Sequence, residues 1–244
     1  MKSSYQELPQ GFVEKEKIDL KADKKLFLLV NISALIIGLI LGVGMHFIVP
    51  IQTIFSLDGG PLRFFLRFGV LLVGSLLYIV LHELTHAIAM KAFGTKKVKF
   101  GVSATYAYAG SDDYYAKNPY LIIALAPVVV FAVILGVLQF LVPTDFFWVI
   151  WWIQISNLSG AAGDFYVTAR FCRLPKDVLI RDYGVGMSVF AYDPQQLTEA
   201  SASPCDNSAA NAERESSSRD FVGSAEAATP SCDASSASDI ENAE

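Results

Sequence analysis

Four long apolar runs divide the chain, each bounded by charge or by turn-forming residues. Leu26 to Val49 has 24 residues and no charge, and Phe68 to Met90 forms the second run. Leu121 to Val142 has 22 uncharged residues, and Phe146 to Ala169 has 24 with Asp164 as its single charge. A helix of about 20 apolar residues crosses a hydrocarbon core, so each run predicts a transmembrane helix. Pro50 closes the first run, and Leu57-Asp58-Gly59-Gly60-Pro61 is a turn signal before the second. The second helix should stop at Phe93-Gly94, where a glycine follows a lysine-bearing last turn. Pro127 should kink the third helix, and Val142-Pro143-Thr144-Asp145 is a tight turn. Tryptophans 148, 151 and 152 suit an interface at the start of the fourth. The expected fold class is an all-α integral membrane protein, a four-transmembrane-helix bundle.

The polar segments complete the plan. Residues 1–25 hold six lysines and read as a cytosolic N-terminal segment. The run that follows them is too long for a secretory signal and lacks a small-residue cleavage motif. Residues 26–198 form the membrane domain. Residues 199–244 are nearly half alanine and serine, with ten acidic and two basic residues. Such a segment buries too little surface to offset its ordering entropy, so a disordered tail is expected.

Composition supports the membrane reading: 53% of the 244 residues are hydrophobic and the mean hydropathy is +0.41. The formal charge of −5 conceals a tail of −8 on a body of +3, and nothing in the body suggests a nucleic-acid surface. Basic residues alternate across the runs. Arg63 and Arg67 alone lie between the first and second, five lysines lie between the second and third, and none lies between the third and fourth. Arg170, Arg173, Lys176 and Arg181 follow the fourth. The positive-inside rule then places both termini and the 91–118 loop in the cytosol. Cys172, Cys205 and Cys232 lack metal-ligand spacing and indicate no disulfide framework.

The chemistry lies in His82-Glu83-Leu84-Thr85-His86, inside the second run. On a helix, residues four apart share a face, so both imidazoles can address one ion. Glu83 lies beside that face as a general base, which is the zinc-metallopeptidase arrangement. Each ionisable group in an apolar span costs about 2.5–3.5 kcal/mol on insertion scales, so its presence argues for function.

A catalytic zinc needs a third protein ligand. His86 lies five residues before Lys91, and Asp164 six before Arg170. Both therefore sit about 7–9 Å inside their first basic flank, at the same depth. His46 lies at the opposite end of its span and reads as interfacial, and Asp112 and Asp113 read as a polar turn. On the fourth run, Ser156/Gly160 and Ser159/Gly163 make a small-residue face for close packing. Asn157, Gly160 and Asp164 share a face, which offers Asp164 as the ligand and Asn157 either at the site, against substrate, or in an interhelical hydrogen bond. Pairing of Asp164 with a lysine is the alternative.

These residues resemble the site-2 protease superfamily of intramembrane zinc metalloproteases, in which HExxH and an aspartate after an asparagine on a later helix bind zinc. The layout is more similar to a family of small bacterial membrane proteins described as zincin peptidases of unknown function. The shared features are HELTHAIAMKAFG, YLIIALAP and NLSGAAGDFYVTARFCRLPKDVLIRDYG, within about residues 68–190. Site-2 proteases usually carry a proline and an Asp-Gly in the last segment, where this chain has Gly160 and Asp164-Phe165. The resemblance implies a bacterial plasma-membrane enzyme with Zn²⁺ held by His82, His86 and Asp164.

Residues 98–108 show partial period-2 alternation, with Phe100, Val102, Ala104, Tyr106 and Tyr108 on one side. They predict a short cytosolic strand or hairpin, which either pairs with an unwound substrate or packs on the bilayer. The expected partners are the lipid bilayer and a membrane-anchored protein or peptide substrate. Two other classes stay open: a zinc-binding scaffold or regulator without activity, and a proton or ion pathway. The latter would need polar groups continuing outward, where only Ser75, Tyr78 and Gln154 are available.

Overall fold

The computed structural model describes residues 3–19, 22–102, 107–184 and 186–195. Strands β1 (Ser4–Tyr5) and β2 (Phe12–Asp19) precede helices α1 (Lys24–His46) and α2 (Pro61–Ala92). Strands β3 (Lys99–Val102), β4 (Ala107–Gly110) and β5 (Tyr114–Ala116) lead into helix α3 (Lys117–Leu141). Helices α4 (Phe147–Gly160) and α5 (Ala162–Cys172) follow, then β6 (Leu179–Asp182) and β7 (Gly186–Tyr192). The expected acidic tail lies outside the described residues.

Three helices, α1, α2 and α3, are long and apolar enough to cross a membrane. Their ends follow local chemistry. The Asp23 carboxylate caps α1 by accepting from the N–H groups of Lys25 and Leu26. Gly59 and Gly60 turn the chain at φ of +85° and +86°, which a residue with a Cβ resists, and Pro61 opens α2. Gly94, at φ +103°, ends the same helix as its sequence predicts.

The expectation of an all-α bundle is overturned. A five-stranded antiparallel sheet, in the order β1-β5-β6-β7-β2, joins the N-terminal segment, the α2–α3 connection and the chain after α5. The reason it was hidden lies in the strands themselves. β2 is an edge strand paired only with β7; Glu14, Lys15 and Lys17 are exposed, Ile18 alone is buried, and no apolar alternation marks it. Lys15 pairs with Asp193 at 2.8 Å and Glu16 with Arg170 at 2.9 Å, and this charge blunts the open edge. β7 is buried on both faces from Gly186 to Phe190, so it does not alternate either. A second, two-stranded sheet pairs β3 with β4 in the predicted 98–108 region, and residues 103–106 lie outside the description.

The fourth run is also corrected: it is two helices. Ala161 leaves the helical ladder (φ −81°, ψ 14°) between Gly160 and α5, where flanking glycines lower helix propensity. With 14 residues, α4 is too short to cross a hydrocarbon core unaided.

Two clusters hold the body together. One joins the inner ends of α2, α3 and α5 to the sheet through Met90, Tyr115, Tyr120, Phe171, Ile180 and Val189. The other, of Tyr78, Phe131, Leu135 and Ile153, packs α2, α3 and α4 deeper in the bundle. The site lies between them.

Candidate metal centre

Helix α2 presents His82 and His86 on one face, and the ring centroids are 5.1 Å apart. The break at Ala161 starts α5 anew and places Asp164 in its first turn, where the helix dipole favours a carboxylate. Asp164 Oδ2 lies 3.5 Å from His82 Nε2, and Oδ1 lies 3.8 Å from His86 Nε2. Among the described residues, these three form the group whose donor atoms converge closely enough to hold a metal ion, all within 4.8 Å of one another. Tetrahedral bonds of about 2.0–2.1 Å to zinc would set neighbouring donors roughly 3.3 Å apart; the shortest carboxylate–imidazole separation is 3.5 Å, and the three donors lie within 4.8 Å of one another.

The imidazole tautomers follow from the hydrogen bonds. The Asn157 amide donates from Nδ2 to the Val128 carbonyl at 3.1 Å, which turns its Oδ1 toward Tyr78. The Tyr78 hydroxyl donates to that Oδ1 at 3.1 Å, which uses its one proton. Tyr78 oxygen therefore accepts from His82 Nδ1–H, 2.8 Å away, and His82 Nε2 is the nitrogen that faces Asp164. His86 Nδ1 lies 3.0 Å from the Ile123 carbonyl, an acceptor only, so it too carries its proton on Nδ1. Two imidazoles that turn Nε2 to one point and one carboxylate are a donor set suited to zinc.

Glu83 lines the same cavity, of about 540 Å³, which is bounded by α1, α2, β4, α3, α5 and the β6–β7 turn. The backbone N–H of Ala109 in β4 donates to its carboxylate. That N–H therefore points away from β3 and toward the motif helix. Asp182, which also lines the cavity, accepts from Tyr120 Oη at 2.9 Å and from the Gly184 N–H at 2.7 Å. Burial raises its carboxyl above the ordinary range.

Residues 75–179 match the model of a family described as "Putative zincin peptidase". The matched segment is less than half of the chain, yet it contains His82, Glu83, His86 and Asp164 together with Tyr78, Ile123 and Asn157. It leaves out α1, β2 and β7. No curated protein and no solved structure gives a significant match.

The structure thus brings His82, Glu83, His86 and Asp164 to one cavity. Asn157 is fully buried and does not line it. His46 stands at the far end of α1, where its Nδ1 accepts from the Ile51 N–H. Asp112 pairs with Lys99 and Arg181 outside the cavity. Sequence reasoning missed Tyr78 as a partner of His82, although its position four residues earlier on the helix was the available signal. Asp182 carried no such signal, because only the sheet brings it to the cavity.

Proposed function

We propose that this chain is a zinc-dependent intramembrane metalloprotease of site-2 protease type, hydrolysing peptide bonds of membrane-anchored substrates near the cytosolic face. The observation that carries the reading is the convergence of His82, His86 and Asp164 beside Glu83 in one cavity. His82, His86 and Asp164 hold the metal. Zinc there supplies the Lewis acidity that makes water nucleophilic near neutral pH and polarises a carbonyl. Glu83 takes the proton of the attacking water and passes it to the leaving amine. The Ala109 N–H orients Glu83 for that transfer.

Substrate binding follows from β4. A helical substrate hides its amides in its own hydrogen bonds, so it must unwind before cleavage. β4 lines the cavity beside Glu83, and an extended segment would run along it there.

Orientation has support besides charge. The five-stranded sheet hydrogen-bonds the N-terminal segment, the α2–α3 connection and the chain after α5 to one another. These three therefore share one side of the bilayer, and α4 with α5 returns the chain to it. The lysine and arginine pattern supports a cytosolic assignment for that side, and the resemblance to small bacterial membrane proteins supports a bacterial plasma membrane.

The test uses purified protein with a membrane-anchored peptide panel in proteoliposomes. Glu83→Gln should lower hydrolysis by about 10²–10⁴-fold while zinc content stays at the wild-type level. Undiminished turnover would reject the mechanism. Stoichiometric zinc in wild type, without cleavage of any peptide, would favour a scaffold or regulator instead.

A further inference from the structure

We propose that Pro127 is a positioning residue for the metal centre: it frees the Ile123 carbonyl to orient His86. In an α-helix the N–H of each residue bonds the carbonyl four residues earlier. Pro127 lies inside α3 and has no N–H, so the carbonyl left without its helical donor is that of Ile123. The pyrrolidine ring also crowds that oxygen and tilts it out of the ladder.

Both residues are buried, Ile123 at 1% exposure and Pro127 fully, so solvent is no substitute donor. An orphaned carbonyl in an apolar interior is costly. The donor it finds is His86 Nδ1–H, 3.0 Å away on the neighbouring helix. Because a carbonyl only accepts, this bond fixes the proton on Nδ1 and keeps Nε2 open toward Asp164 Oδ1, 3.8 Å away. One residue without a donor thereby sets the tautomer and ring plane of a residue on another helix. His82 reaches the same state by a different route, through Tyr78 and Asn157.

This inference rests on His86 being a metal ligand, and the test separates the two. The chain has three histidines, so ¹⁵N-histidine spectra of the metal-free protein in detergent micelles at pH 8 are simple to assign. In wild type, His86 should be the Nδ1–H tautomer. In Pro127→Ala the restored N–H competes for the Ile123 carbonyl. The Nε2–H tautomer of His86 should then gain population, and zinc affinity by chelator competition should fall about tenfold. The metal-free melting temperature should be unchanged or higher, since a mid-helix proline has been removed. His86 found as Nε2–H in wild type would overturn the inference, whether or not the variant folds. So would a variant whose tautomer and zinc affinity match wild type. Failure of wild type to bind zinc would instead strike at the metal-site reading and leave the tautomer measurement valid.

Discussion

Leu76 on α2 and Ile180 on β6 are aliphatic residues of equal size, yet Leu76 is 58% exposed and Ile180 is wholly buried. The contrast extends to their surroundings. α1 shows Leu28, Leu35, Leu39 and Ile40 on its outer surface, whereas the sheet buries Leu179, Ile180, Val189 and Phe190. On the proposed membrane reading, lipid takes in the helical half the place that protein takes in the sheet half. A lipid-facing leucine loses little when trimmed, because hydrocarbon surrounds it in either case. A sheet residue loses both its transfer from water and its packing. The candidate metal centre sits where the two halves meet, with imidazoles from α2, a carboxylate from α5 and a backbone donor from β4.

Removing the link across that seam should have the largest effect. Asp164→Ala should reduce bound zinc from one per chain to near zero by elemental analysis, as should His82→Ala. Full zinc occupancy in Asp164→Ala would detach α5 from the centre. Next comes the packing contrast. Ile180→Ala should cost about 2–5 kcal/mol, and Leu76→Ala within roughly 0.5 kcal/mol, in denaturant unfolding from micelles. Equal costs would show that the two halves are not stabilised differently.

A smaller effect is expected at the buried hydroxyl that orders His82. Tyr78→Phe removes the acceptor for Nδ1–H and should weaken zinc binding about tenfold, read by chelator competition. The fold should survive, since Tyr78 packs its ring on Phe131 and the ring is retained.

The smallest effects should appear in the pH dependence of two aspartates on the sheet side. Hydrogen bonds from Lys99 and then Arg181 lower the Asp112 pKa. Its stabilising contribution is therefore present above the ordinary value of 3.8 and is lost as pH falls through the folded value. Burial raises the Asp182 pKa, so the stability associated with its neutral form is present below 3.8 and is lost as pH rises through the folded value. Melting of metal-free Asp112→Asn should lose the acid-side decline, and Asp182→Asn the decline above pH 3.8. The same sign for both would contradict the opposed causes.

The motif helix could be read from sequence because its information is local. Four-residue spacing puts His82 and His86 together on any helix, and its apolar length is enough to cross a membrane. The depth comparison also pointed to Asp164, since rise per residue is fixed. The assumption of a continuous fourth helix did not hold, for Gly160 and Gly163 weaken the ladder without fixing where it breaks. Asn157 was read with two roles open, and its bonds to Tyr78 and Val128 depend on neighbours that sequence does not place.

Residue order alone decided where the apolar spans run, which helix face carries the imidazoles and which flanks are basic. Those properties follow from periodicity and charge within one segment. Folding in three dimensions decided the sheet, the turn at Ala161 that aims Asp164, and the acceptors that set each histidine's proton. Each of those depends on hydrogen bonds or packing between segments far apart in the chain, and no local pattern specifies the partner.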